Sequence, residues 1–164
     1  MSDQTNSPSS VPNEENWSED MTCPDPGEPP VLGFLQLCAD RRFHKCLQQK
    51  FQTDAELDSP EAYWIHADAG GTPKMESLIT APDYCYKKKG VRLMGWSAHG
   101  SGCGGYGDHV PDDVIQSELN EVAQRRAADY PQATHYIYFA TIGRGKDAGK
   151  AAVYSMKYEP EVNG

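Results

Sequence analysis

The chain has 164 residues, a formal net charge of −9 and 38% hydrophobic residues, which suits one domain of ordinary size. An acidic balance argues against nucleic acid or an anionic membrane as a partner, since both need a basic face. No apolar run approaches the ~20 residues that span a bilayer. Five cysteines without a short repeating spacing fit a reducing compartment better than a disulfide framework. No basic-then-apolar leader is visible, so a cytoplasmic location is expected.

Residues 1–30 are rich in Ser, Pro, Asn, Asp and Glu, with Trp17 as the single aromatic. Such a segment buries too little apolar surface to offset its ordering entropy, and it reads as a disordered acidic tail before one domain over 31–160. The run Val31 to Cys38 reads as a buried first strand, and Phe43 to Phe51 as a helix with Phe43, Leu47 and Phe51 along one face. Ser59-Pro60 marks a turn. Ala62 to Ala67 is a second strand, entering the small-residue loop Asp68 to Pro73. Lys74 to Lys89 has a helical pattern in which Pro82 either opens the first turn or kinks a longer helix. Gly90 stops it, and Val91 to Ser97 is the third strand. Pro111-Asp112-Asp113 starts a helix, with acids at the positive end of its dipole. Ile115, Leu119, Val122, Ala123, Ala127 and Tyr130 line one side of it. Thr134 to Thr141 and Lys150 to Tyr158 are strands joined by the glycine-rich turn Gly143 to Gly149.

Strand and helix alternate, which predicts an α/β fold: a mainly parallel four- to five-stranded sheet flanked by helices, with an antiparallel C-terminal edge strand. In such sheets ligands bind beyond the carboxyl ends of the strands. Three small-residue loops fall there: Cys38 to Arg42, Asp68 to Pro73, and Ala98 to Gly105. They converge if their strands are neighbours.

Cys38, His99 and Cys103 bring two thiols and one imidazole to these loops, the ligand set of a catalytic zinc that keeps an open fourth position. Asp40 lies close enough to reach the metal or its water. Arg42 can hold the Asp40 carboxylate in orientation. Other readings of the same residues stand beside this one. Cys38 could be a small buried hydrophobe, Asp40 and Arg42 a structural ion pair, and Cys103 with His99 a nucleophile–base pair. Cys46 and Cys85 fit packing roles. His44, His66 and His109 fit structural or solvent-facing ones, with a proton-shuttle role open to His109 beside Asp108. The glycine-rich loop lacks the Gly-Lys-Ser/Thr ending of a phosphate-binding loop.

Cys38-Ala39-Asp40-Arg41-Arg42 resembles the Cys-x-Asp-x-Arg motif of the β-class carbonic anhydrases. Asp68-Ala69-Gly70-Gly71 is similar to that family's Asn-Ala-Gly-Gly segment, and Gly95 to Gly105 to its Gly-His-x-x-Cys-Gly motif. The resemblance covers Val31 to Gly105 and, weakly, the last two strands. It implies zinc held by Cys38, His99 and Cys103, and a water ionised by the metal and oriented by the Asp40–Arg42 pair. It also implies reversible hydration of carbon dioxide to bicarbonate, and a homodimer as the minimal unit. The chain departs from the family in three places. His99 and Cys103 are four apart rather than three, Asp68 replaces Asn, and a single helix separates Cys103 from Thr134. The inserted loop residue motivates an alternative, a non-catalytic zinc-binding scaffold on the same fold. Hydrolysis of carbonyl sulfide or carbon disulfide needs the same activated water and is a further alternative.

Overall fold

The computed structural model describes residues 30–75, 81–107, 109–143 and 148–159. The expected tail over 1–30, with Trp17, lies outside them apart from Pro30. Strands β1 (Gly33–Cys38), β2 (Tyr63–Asp68), β3 (Leu93–His99), β4 (Thr134–Ile142) and β5 (Ala151–Tyr158) form one sheet in the order β2-β1-β3-β4-β5. The first four are mutually parallel, and β5 runs antiparallel along β4. Helices α1 (His44–Asp54), α2 (Ala81–Lys88) and α3 (Asp112–Asp129) connect them. The architecture is therefore the α/β sheet with an antiparallel edge that the alternating pattern predicts. Among the described residues no helix is long and apolar enough to cross a membrane.

Side chains alternate between the two faces of a strand, and β1 is buried on both. Leu35 and Leu37 pack with Phe43, Leu47 and Phe51 beneath α1. Phe34 packs on the opposite face with Met94, Trp96, Ile115 and Leu119, under α2 and α3. This split follows from the path of the chain. It steps from β1 outward to β2, then returns across β1 to β3 and continues to β4. Right-handed crossovers made in opposite directions place their helices on opposite faces. The reversal falls between β1 and β3, and in sheets of this kind ligands bind beyond the strand ends at such a point.

The details follow from pairing and capping. β3 runs two residues past the expected Ser97, because its ladder with β4 continues to His99 opposite Ala140. Pro82 is the second residue of α2 (Ala81–Lys88), a position where a missing N–H is tolerated. Residues 76–80 of the expected longer helix lie outside the described residues. Phe43 is not within α1 but ends a short 3₁₀ turn over Arg41–Phe43, whose start is capped by the Asp40 side chain accepting from the Arg42 N–H. His135 is buried as a packing residue: its Nδ1 accepts from Trp96 Nε1 at 3.0 Å and its Nε2 donates to the Tyr130 carbonyl at 3.1 Å. The hairpin between β4 and β5 is closed by Gly143 N–H donating to the Lys150 carbonyl at 2.8 Å. Most of its turn, 144–147, lies outside the described residues.

Candidate metal centre

The three loops meet at that reversal. Cys38 ends β1 and His99 ends β3, and these strands are neighbours. Asp68 ends β2 directly opposite Cys38, so the Asp68 to Pro73 loop leads away from the same place. Gly105 passes so near Ala69 and Gly70 that a Cβ on it would collide with their backbone, which seats the glycine-rich loop on its neighbour. The N–H groups of Gly70 and Asp40 point at the Cys38 sulfur, at 3.4 and 3.5 Å.

Cys38, His99 and Cys103 are all buried, and their candidate donor atoms lie within 4.8 Å of one another. The two sulfurs are 3.8 Å apart. His99 Nδ1 donates to the Gly100 carbonyl at 2.7 Å, so in the neutral imidazole Nε2 is the unprotonated nitrogen. That nitrogen is buried without a hydrogen-bond partner. A buried polar atom left unpaired is costly, and a coordinated ion removes the cost. A soft, compact set of two sulfurs and one imidazole nitrogen is close enough to hold a metal ion and matches a thiolate–imidazole site in donor type.

The residues between His99 and Cys103 form a left-handed turn. Ser101 has φ of 53° and Gly102 φ of 81°. Glycine adopts this region freely, whereas for Ser101 it costs of order 1–2 kcal/mol. The turn brings Cys103 back to the end of β1, where its sulfur lies 3.8 Å from that of Cys38.

Asp40 stands beside the cluster, with Oδ2 3.6 Å from His99 Nε2. Arg42 holds it firmly. Its Nε donates to both carboxylate oxygens at 3.1 and 2.9 Å, and its Nη2 to Oδ2 at 2.6 Å. Nη2 also reaches the carbonyls of Ser101 and Gly102, at 3.4 and 3.2 Å. One guanidinium thus ties the carboxylate to the turn that carries Cys103. The ring of Phe43 stacks on His99 with centroids 4.6 Å apart and shields one side of the imidazole.

The electrostatics favour a metal. Hydrogen bonds from Arg42 are the main reason the Asp40 carboxyl falls to about 2, so it is ionised throughout the neutral range. Burial pushes the Cys38 thiol up, but the neighbouring imidazole and the N–H groups of Asp40 and Gly70 bring it down to about 7. Burial likewise works against a charged His99, yet the Cys38 thiolate, the Gly100 carbonyl and Asp40 together raise its pKa. Cys103 is raised by burial and by the charge of Cys38. Of the two thiols, Cys38 is therefore the more readily ionised.

Some of these partners carry no signal in the sequence. The stacking of Phe43 on His99 depends on tertiary contact, and so do the bonds to Ser101 described below. His44, expected to be structural, donates from Nε2 to the Cys38 carbonyl at 2.6 Å. His66 bonds Gln36 Oε1 at 2.9 Å, and His109 is exposed. Cys85 is a buried packing thiol, and Cys46 donates to the Phe43 carbonyl at 3.1 Å. Asp108 lies outside the described residues.

What fold and site define together is a small α/β protein with a buried two-thiol, one-imidazole cluster at the reversal point of its sheet. No family model matches the chain, and no curated protein gives a significant match.

Proposed function

We propose that this protein is a zinc-dependent lyase that hydrates carbon dioxide reversibly to bicarbonate, in the manner of the β-class carbonic anhydrases it resembles. The observation that carries the reading is the unpartnered His99 Nε2, gathered with two cysteine sulfurs and flanked by a carboxylate under the control of an arginine. Cys38, His99 and Cys103 would hold the ion, and zinc suits that donor set. Bound there, zinc would supply Lewis acidity that lowers the pKa of water toward about 7.

The chain's own residues then do the rest. Asp40 is too acidic to store a proton near neutrality. It acts instead as a fixed acceptor that orients the attacking oxygen toward carbon dioxide. Arg42 keeps both Asp40 oxygens in place through paired hydrogen bonds. Phe43 keeps solvent from one face of His99. The released proton passes to solvent buffer, and bicarbonate leaves in exchange for water.

Metal analysis combined with stopped-flow hydration tests the proposal. About one zinc per chain with carbon dioxide turnover, and loss of that turnover in Cys103→Ser, is the expected result. Zinc without turnover would leave a non-catalytic metal protein. Turnover of carbonyl sulfide but not carbon dioxide would keep the centre and change its substrate. Protein purified with zinc present yet holding none would sink the metal centre itself.

A further inference from the structure

We propose that Asp112, the first residue of α3, is a positioning residue that sets the turn between His99 and Cys103 and so fixes the second thiol; this role rests on the metal-centre reading. The Ser101 N–H donates to Asp112 Oδ1 at 2.8 Å. The Thr141 hydroxyl at the end of β4 donates to Asp112 Oδ2 at 2.6 Å. With that proton committed, Ser101 Oγ donates to Thr141 Oγ1 at 2.7 Å and itself accepts from the Ile142 N–H at 3.0 Å. Every donor in the ring meets an acceptor, and both carboxylate oxygens are engaged by the loop and by β4.

The residue held in this way, Ser101, lies in the left-handed region with φ of 53°. A non-glycine residue persists there only when its surroundings over-determine it. Asp112 and Thr141 hold Ser101 from one side, and Arg42 reaches its carbonyl oxygen at 3.4 Å. Gly100 completes the fit, because a Cβ there would run into the Asp112 carboxylate. No side-chain cap closes this end of α3, where Pro111 stands at the N-cap. The acid at the helix start therefore serves the metal loop. Without its two bonds the turn relaxes, and the Cys103 sulfur leaves its place opposite Cys38.

Cobalt(II), which reports thiolate ligation through its charge-transfer absorption, tests this on the full chain. Metal-site supporting partners typically contribute 10–100-fold to affinity. In Asp112→Ala, cobalt(II) should bind roughly 10–100-fold more weakly by chelator competition, and the charge-transfer band should fall toward that of Cys103→Ser. Thr141→Val, which leaves the Ser101 N–H bond to Asp112 intact, should show a smaller loss in the same direction. Asp113→Ala removes an exposed acid from the same helical turn and should leave affinity and band unchanged. Wild-type affinity and band in Asp112→Ala overturn the proposal. If circular dichroism shows that this variant does not fold, Thr141→Val decides: a wild-type band and affinity there overturn it. A wild-type chain that binds no cobalt(II) overturns the metal reading instead, which separates the two failures.

Discussion

At the scale of single residues the cluster is defined by where protons sit. In the metal-free protein Cys38 titrates at about 7, His99 above its ordinary value and Cys103 above its own. A metal ion binds only the deprotonated forms. Binding therefore releases protons from the cluster, from Cys38 below about pH 7 and from Cys103, whose thiol is held above its ordinary value by burial and by the Cys38 charge. Zinc affinity should therefore rise with pH, and chelator competition at pH 6, 7 and 8 measures the slope. An affinity independent of pH would contradict thiolate ligation. Asp40 gives a complementary test, since it remains ionised at all these values. Asp40→Asn should keep zinc while losing most turnover, because the amide cannot replace a carboxylate acceptor clamped by Arg42. Unchanged turnover in that variant would remove Asp40 from the mechanism.

At the scale of elements, strand ends and glycine contacts position the site. Gly105 touches the backbone of Ala69 and Gly70, and backbone on both sides leaves little room to yield. Gly105→Ala should destabilise the protein by about 1–3 kcal/mol, the usual cost of overpacking. That corresponds to a melting temperature lowered by a few degrees in a domain of this size. It should also weaken zinc binding, because the two loops part. An alanine variant with unchanged melting temperature and metal content would show that the contact is dispensable. The same scale explains what the sequence could disclose. Cys38, Asp40 and Arg42 are legible together because they sit two residues apart along one strand exit, where spacing alone implies shared direction. Ser101, Asp112 and Thr141 are not. They lie 11 and 40 residues apart, and no local period links a loop serine, a helix-start acid and a strand threonine. Asp112 reads in the sequence as a residue for its own helix, and only the packing of α3 against β3 and β4 reveals its second use.

At the scale of the whole molecule, the alternating pattern suffices to imply the sheet and its antiparallel edge. It does not give the strand order, which follows from which crossover reverses direction. The order matters because it makes Cys38 and His99 neighbours. Large apolar side chains remain exposed on both edge strands, Trp64 and Ile65 on β2 and Tyr154 and Met156 on β5, and the homodimer implied by the sequence resemblance would cover such surface. Light scattering at micromolar concentration is expected to give twice the 18.1 kDa chain mass, and a monomer would count against the dimer. The pairing of β1 with β3 also has a bearing on biosynthesis. The two sulfurs belong to residues 65 positions apart, so the candidate centre is incomplete in a growing chain until both strands have emerged and docked. Non-local parallel pairing of this kind forms slowly. Metal uptake should therefore follow folding closely in time, and a chain interrupted before Cys103 should leave the metal pool untouched.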